Sequence, residues 1–136
     1  MIHLINSVDS TIYAVDLGQN DRLRTIRVVR ATAVGHQQPF RYPGTCILAQ
    51  ITSSCIEEVV LDVGFTSGGL WLRDLDWDTI DRLFTHPNFS HLKKVLISVW
   101  AYKLCSRGPE VRADMLSWLA QRLPACHARG IIDVKL

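Results

Sequence analysis

The sequence predicts an α/β array of strand–helix units, with a single parallel sheet of about four or five strands and helices on one face. Four short runs share one pattern: an apolar residue, two variable residues, an apolar residue, one variable residue and a last apolar residue. These runs begin at Leu23, Ile56, Leu92 and Ile131. Their starts lie 33, 36 and 39 residues apart, and each interval holds a helix-like segment. A strand–helix unit repeated at this interval is typical of a solenoid.

Each run is expected to form one strand, at residues 23–28, 56–61, 92–97 and 131–136. Residues 1–20 are expected to form an N-terminal cap or an additional strand, for which segment 11–17 is the candidate. The chain has 136 residues, which is the size of one domain, so residues 1–136 are taken as a single unit.

The first two helices are predicted from their flanking residues. A first helix should follow Pro43, because proline suits the first turn, and Leu48 and Ile51 would lie on its apolar side. Asp76 is placed to cap a second helix at Trp77–Phe84. Acidic residues in its first turn favour the positive end of the helix.

The third helix has the clearest pattern. It should begin at Pro109, be interrupted at Pro124 and be followed by a turn that ends at Gly130. Its apolar residues recur at helical spacing: Val111, Met115, Trp118, Leu119 and Leu123.

The variable positions of the four runs supply a check on strand register. Right-handed crossovers place all helices on one side of a parallel sheet, so the variable residues should face the other side. Stacked in register, these residues form two columns in which charges alternate, and opposite charges on neighbouring strands attract. The columns are Arg24, Glu57, Lys93 and Ile132, and Thr25, Glu58, Lys94 and Asp133.

Composition argues against several classes of partner. The chain has 15 basic and 13 acidic side chains, and a net charge of +2 is too small to indicate a nucleic-acid or membrane partner. No apolar run approaches the roughly 20 residues needed to cross a bilayer. The first residues also lack the pattern of a secretory signal. We therefore expect a cytoplasmic or nuclear protein.

The residues that could carry chemistry form no recognisable site. The acidic run at 74–81 lacks the glycine and glutamate of an EF-hand loop. His86, His91 and His127 lack the spacing of zinc ligands, and neither a nucleophile elbow nor a phosphate-binding glycine loop is present. The sequence predicts no catalytic residue, no metal and no cofactor, and the chain is not expected to be an enzyme. The cysteines are expected to be reduced and buried: Cys46, Cys55, Cys105 and Cys126.

A small apolar patch is the candidate for binding another protein. Val60 and Leu96 fall in one column of the variable face, between Arg27 and Lys135. Tryptophan and tyrosine rimmed by charge have the composition of a protein interface. The alternative is that connecting loops fold over this patch and bury it. The predicted protein-binding residues are Val60, Leu96, Trp100, Trp71 and Tyr102.

Four stretches also resemble a known family: SCIEEVVLDV at 54–63, LDWDTIDRLF at 75–84, HLKKV at 91–95 and LPACHARGII at 123–132. They are similar to the C-terminal leucine-rich-repeat-like region of F-box proteins from mushroom-forming fungi, over residues 11–136. The resemblance implies a short leucine-rich-repeat-like solenoid that presents a substrate-binding surface. In that family a separate N-terminal F-box docks on a ubiquitin ligase. This chain departs from the pattern, because no Leu-Pro-x-Glu start precedes the first repeat.

The sequence therefore favours a protein-interaction module with a protein partner of unknown identity. A second hypothesis is self-association through the last strand, which would leave an open sheet edge and a homo-oligomer. A small flavodoxin-like enzyme is a third, disfavoured because a glycine-rich ligand loop is lacking.

Overall fold

A computed structural model of the protein describes residues 2–5, 22–29, 48–65, 76–101 and 108–136. The first predicted helix is seen only at Leu48 and Ala49, which are helical. Residues 43–47 and the strand candidate at 11–17 lie outside the described residues. The elements are, in chain order, β1 (Ile2–Ile5), β2 (Thr25–Val29), β3 (Glu58–Phe65), α1 (Trp77–Phe84), a 3₁₀ turn (Pro87–Phe89), β4 (Lys94–Ala101), α2 (Gly108–Arg122), α3 (Pro124–Ala128) and β5 (Ile132–Lys135).

The strands form one parallel sheet of five strands, in the order β1-β2-β3-β4-β5. Parallel neighbours need a crossover connection, and the described crossovers carry helices between β3 and β4 and between β4 and β5. The prediction of an α/β fold with a single parallel sheet is confirmed.

The apolar residues of the runs form the core, as their spacing predicts. Ile26 and Val28 of β2 are buried in the same cluster as Ile80 of α1, Leu119 of α2 and Cys126 of α3. Strand side chains alternate between the two faces, so this cluster occupies the face that the helices cover. Trp77 and Trp118 meet edge to face in the core, with ring centroids 5.8 Å apart.

Three of the strands begin two residues later than the runs that predict them. The first apolar residue of each of these runs is buried just before its strand: Leu23, Ile56 and Leu92. The chain enters the sheet in the same way at two successive strands. The carbonyl of Arg24 accepts from the amides of Glu57 and Glu58, and the carbonyl of Glu57 accepts from the amides of Lys93 and Lys94.

The predicted register is wrong for β5. The run alignment pairs Val95 with Val134, whereas the structure pairs Val95 with Ile132 and Ile97 with Val134. A displacement by two residues leaves every side chain on the same face of the sheet, because side chains alternate with a period of two. The apolar pattern therefore fits both registers equally well.

This displacement changes which charges lie beside the candidate patch. Asp133, not Lys135, is the register partner of Leu96, and Lys135 is the partner of Ser98. Leu136, predicted as the last core residue of the strand, follows β5 and is 43% exposed.

The helix boundaries follow the sequence closely. The Asp76 carboxylate accepts from the Thr79 amide at 3.1 Å, so Asp76 caps α1 as predicted. Pro124 separates α2 from α3, and Gly130 adopts a left-handed φ of 66° in the next turn. A side chain at Gly130 would have open space, so the glycine is needed for its backbone conformation. Within the described residues, no helix is both long and apolar enough to cross a membrane.

Two charged side chains connect α1 and α3. Asp81 of α1 is buried, and its carboxylate accepts from the amides of Ala125 and Cys126 at 3.0 and 3.1 Å. These amides lie in the first turn of α3, which has no side-chain cap of its own because Leu123 precedes it. In the other direction, Arg129 donates to the carbonyl of Phe84 at the end of α1, at 3.1 Å. Asp81 of α1 therefore provides an acceptor for amides at the start of α3, and Arg129, just after α3, provides a donor for a carbonyl at the end of α1.

Side chains before β3, β4 and β5 also bond to the backbone of the preceding unit. Such bonds satisfy carbonyl groups that the turns leave without a partner in a helix or strand. The bonds run from Ser53 Oγ to the carbonyl of Leu23 at 3.3 Å, from Asn88 Nδ2 to that of Ile51 at 2.7 Å, and from Arg129 Nη2 to that of Leu92 at 2.7 Å.

Asp81→Ala should destabilise the protein by about 2–3 kcal/mol, because it leaves two amides in the first turn of α3 without an acceptor. Urea unfolding followed by circular dichroism measures this difference. Asp78→Ala is the matched control, since Asp78 is exposed in the same helix and contributes about 0.5 kcal/mol through the helix dipole. Equal losses in the two variants would contradict the role given to Asp81.

Candidate protein-interaction surface

The face of the sheet opposite the helices carries most of the charged residues of the strands. We call it the charged face. In register from β2 to β5 its central column is Arg27, Val60, Leu96 and Asp133. The neighbouring columns add Thr25, Glu58 and Lys94 on one side, and Asp62, Ser98 and Lys135 on the other.

A partly buried ion pair fixes one side of the charged face. Arg27 donates to both oxygens of Asp62, with Nε–Oδ2 at 2.7 Å and Nη2–Oδ1 at 3.1 Å. The Asp62 side chain is only 4% exposed, and the two hydrogen bonds from Arg27 satisfy both oxygens of its carboxylate. The hydrogen bond and charge of Asp62 raise the pKa of Arg27 above its ordinary value. Arg27 therefore stays charged and oriented across the strands.

A chain of exposed ion pairs fixes the other side. Lys94 Nζ lies 3.9 Å from Glu58 Oε1 and 3.7 Å from Asp133 Oδ2, and Arg112 of α2 donates to Asp133 Oδ1 at 2.6 Å. The predicted attraction between neighbouring charges is therefore present from β3 to β5. Asp133 reaches Lys94 diagonally because of the displaced register of β5. Exposed pairs of this kind add little stability, about 0–1 kcal/mol each, so their main effect is on side-chain position.

The Asp133 carboxylate has a lowered pKa. The hydrogen bond from Arg112 holds the pKa of Asp133 below its ordinary value, and the Val134 amide and the Lys94 charge act in the same direction. Partial desolvation opposes them. Asp133 is therefore ionised at neutral pH, where its bonds to Arg112 and Val134 are intact.

The structure brings two of the predicted binding residues together. Val60 and Leu96 are register partners in the centre of the charged face. Val60 is 8% exposed and belongs to no part of the helix-side core, whereas Leu96 is half-buried. The backbone of Trp100 lies in β4 opposite Gly64. Trp71 and Tyr102 lie outside the described residues.

Two residues of this surface were not predicted from the sequence. Asp62 gave a signal, because it is a carboxylate at a variable position inside an otherwise apolar strand, where a buried charge needs a partner. Arg112 gave none. Arg112 lies on α2, and only the three-dimensional structure shows that it reaches the far end of β5.

The described histidines and acids do not converge on a metal. His86 accepts from the Asn88 amide, His91 lies 2.8 Å from the Ser54 carbonyl, and Asp81 turns toward α3. No group of three potential ligands occurs in the part of the chain that the structure describes.

The two described cysteines differ in their exposure to solvent. Cys126 is buried as predicted, whereas Cys55 is exposed, so the prediction of burial is wrong for Cys55 because it lies in the turn before β3. Burial raises the pKa of the Cys126 thiol to about 12, and Asp81 adds to the shift. Cys46 and Cys105 lie outside the described residues.

Comparison with known proteins gave no match to a protein-family model, a curated protein or a solved structure.

Cys126 should not react with iodoacetamide in the folded protein at pH 8, because a thiol with a pKa of about 12 forms almost no thiolate there. Cys55 should react, and peptide mass spectrometry before and after unfolding in urea distinguishes the two residues. Labelling of Cys126 as fast as Cys55 without denaturant would contradict the burial described above.

Asp133→Asn should lower stability at pH 7 by a fraction of a kcal/mol, since the side chain is exposed and its ion pairs are screened. A pKa lowered by folding gives stability that is present above the unfolded value of about 3.9 and is lost as pH falls through the folded value. The difference between the wild type and the variant should therefore shrink as pH falls through the folded pKa of Asp133. Urea unfolding at a series of pH values from 7 into the acid range tests this, and a difference independent of pH would contradict it.

Proposed function

We propose that the chain is a leucine-rich-repeat-like array that binds a partner protein through the charged face. The observation that carries the proposal is an apolar centre, Val60 and Leu96, enclosed by the Arg27–Asp62 pair and by the pairs around Lys94. An apolar centre with a polar rim is the usual arrangement of residues in a protein interface.

The repeated entry of the chain into the sheet supports the array. The same two-amide contact with one carbonyl occurs before β3 and before β4, and a side chain bonds back to the preceding unit before β3, β4 and β5. In a repeat protein each unit packs mainly against its neighbours, and these contacts are of that kind.

The ion pairs support binding because they hold long side chains in place before a partner arrives. Ordering a flexible side chain at an interface costs about 0.5–1.5 kcal/mol. Arg27, Lys94 and Asp133 are already held, so a partner of complementary charge would meet a surface that needs little ordering. Leu96 offers more accessible apolar surface than Val60, and Trp100, Trp71 and Tyr102 are proposed to extend the contact.

The resemblance to F-box proteins gives the proposal its class of partner. In those proteins the repeats recognise the substrate of a ubiquitin ligase, and this chain is proposed to recognise a protein in the same manner. The proposal covers recognition alone, and ligase recruitment is a separate question.

Leu96→Asp should abolish partner binding, because it places a charge at the apolar centre of the charged face. The test is affinity capture from the native cell with quantitative mass spectrometry, using the wild type, Leu96→Asp and Gln121→Asp. Gln121 is exposed on α2, away from the sheet, so Gln121→Asp carries the same added charge as a control.

The expected result is a protein that the wild type and Gln121→Asp retain and Leu96→Asp loses. Retention of every captured protein by a folded Leu96→Asp variant would overturn the proposal. If Leu96→Asp unfolds, Ser98→Arg tests the same face from the next half-buried position of β4, and retention of every captured protein by this variant would also overturn the proposal.

A further inference from the structure

Strand β5 forms one edge of the described sheet, and its backbone shows which groups face outward. The Val95 amide donates to the Ile131 carbonyl at 2.7 Å. In a parallel ladder successive residues direct their amide and carbonyl alternately to one side and the other. The backbone amides and carbonyls of residues 131, 133 and 135 therefore point toward β4. Those of Ile132, Val134 and Leu136 point away from the sheet.

The outward groups of Val134 are already satisfied within the chain. Arg112 Nε donates to the Val134 carbonyl at 3.0 Å, and the Val134 amide donates to Asp133 Oδ1 at 2.8 Å. Arg112 Nη2 donates to the same carboxylate oxygen at 2.6 Å. The Arg112–Asp133 pair thus occupies the middle of the edge, where an added strand would have to form its hydrogen bonds.

The edge sequence is self-complementary in the antiparallel sense. If two copies of residues 132–136 pair about Val134, then Ile132 lies opposite Leu136 of the second copy, and Asp133 lies opposite Lys135. One arrangement therefore gives two apolar pairs on the helix side and two opposite-charge pairs on the charged face. Two-fold symmetry makes each contact occur twice.

The helix side of this edge has room for the apolar pair. A groove of about 500 Å³ lies beside Ile132 and is lined by Leu116, Ala120 and Gly130, with Ser117 and His127. Among the described residues, Leu136 is a large apolar residue whose side chain is exposed. In such a pairing it would lie next to Ile132 of the second copy.

We propose that the β5 edge is a homodimer surface for a second copy of this chain, and that the Arg112–Asp133 pair keeps it closed. In the closed state Arg112 holds Asp133 and the Val134 carbonyl. In the open state Lys135 of the second copy replaces Arg112 at Asp133, and the two Val134 residues bond to each other. This surface shares Asp133 and Lys135 with the charged face but does not include Val60 or Leu96, so the proposed function can fail while this proposal stands.

Arg112→Met should turn a monomer into a dimer, because it frees Asp133 and the Val134 carbonyl but leaves the self-complementary residues in place. Size-exclusion chromatography with light scattering at increasing protein concentration measures the mass, which should double. Arg122→Met is the matched control, since Arg122 lies on the same helix against Trp118 and away from the edge.

Two double variants test the pairing itself. Arg112→Met with Lys135→Glu opposes Asp133 with a like charge, and Arg112→Met with Leu136→Ser removes the apolar pair, so both should return to monomers. A folded Arg112→Met variant that stays monomeric, a wild type that already dimerises, or dimers that survive both second substitutions would overturn the proposal. Assemblies of indefinite size would also overturn it, because two-fold pairing closes at two copies.

Amide hydrogen exchange on the wild type keeps the proposal testable if Arg112→Met fails to fold. The closed edge should protect the Val134 amide and leave the Ile132 amide exchanging faster by at least tenfold. Equal exchange at the two amides would show that the Arg112–Asp133 pair does not close the edge.

Discussion

The two hydrogen bonds that the Asp81 carboxylate accepts from the first amides of α3 are the constraint on which the C-terminal end of the structure depends. The helix α3 has five residues, and a helix this short does not persist without tertiary contacts. Its first turn is held by a carboxylate from α1, and Arg129 just after it is held by carbonyls at Phe84, Phe89 and Leu92. The position of α3 then fixes where the chain turns at Gly130 and enters β5. The register of β5, and hence the position of Asp133, follows from it.

The position of β5 therefore links the packing of α3 in the interior to the charges on the surface. With β5 displaced by two residues, Asp133 lies opposite Leu96 and still reaches Lys94 diagonally, while Arg112 donates to it from α2. The Asp133 carboxylate then takes part in the ion pairs of the charged face and also accepts the Val134 amide at the edge of the sheet. With the register predicted from the runs, Lys135 would occupy the place beside Leu96, and the edge would present a different sequence of charges.

The sequence predicted the features that depend on local spacing. The α/β class, the parallel sheet, the bounds of α1, the break at Pro124 and the left-handed Gly130 all follow from residues close together in the chain. The displacement of β5 could not be predicted, because apolar periodicity is the same after a shift of two residues. The roles of Asp81 and Arg112 could not be predicted either, since both reach partners more than twenty residues away. Of the candidate site, the pairing of Val60 with Leu96 was predictable, and the ion pairs with Asp62 and Arg112 were not.

The order of the strands in the sheet is the same as their order in the chain, and this has a consequence for how the molecule comes apart. In the proposed repeat array each strand would be held by the one before it and the one after it, so its free energy would depend chiefly on nearest neighbours. Such a chain can lose a terminal unit while the remaining units stay folded, and partly folded species then become populated between the native and unfolded states. Damage at one end would be contained there, and a unit could be gained or lost without rebuilding the others.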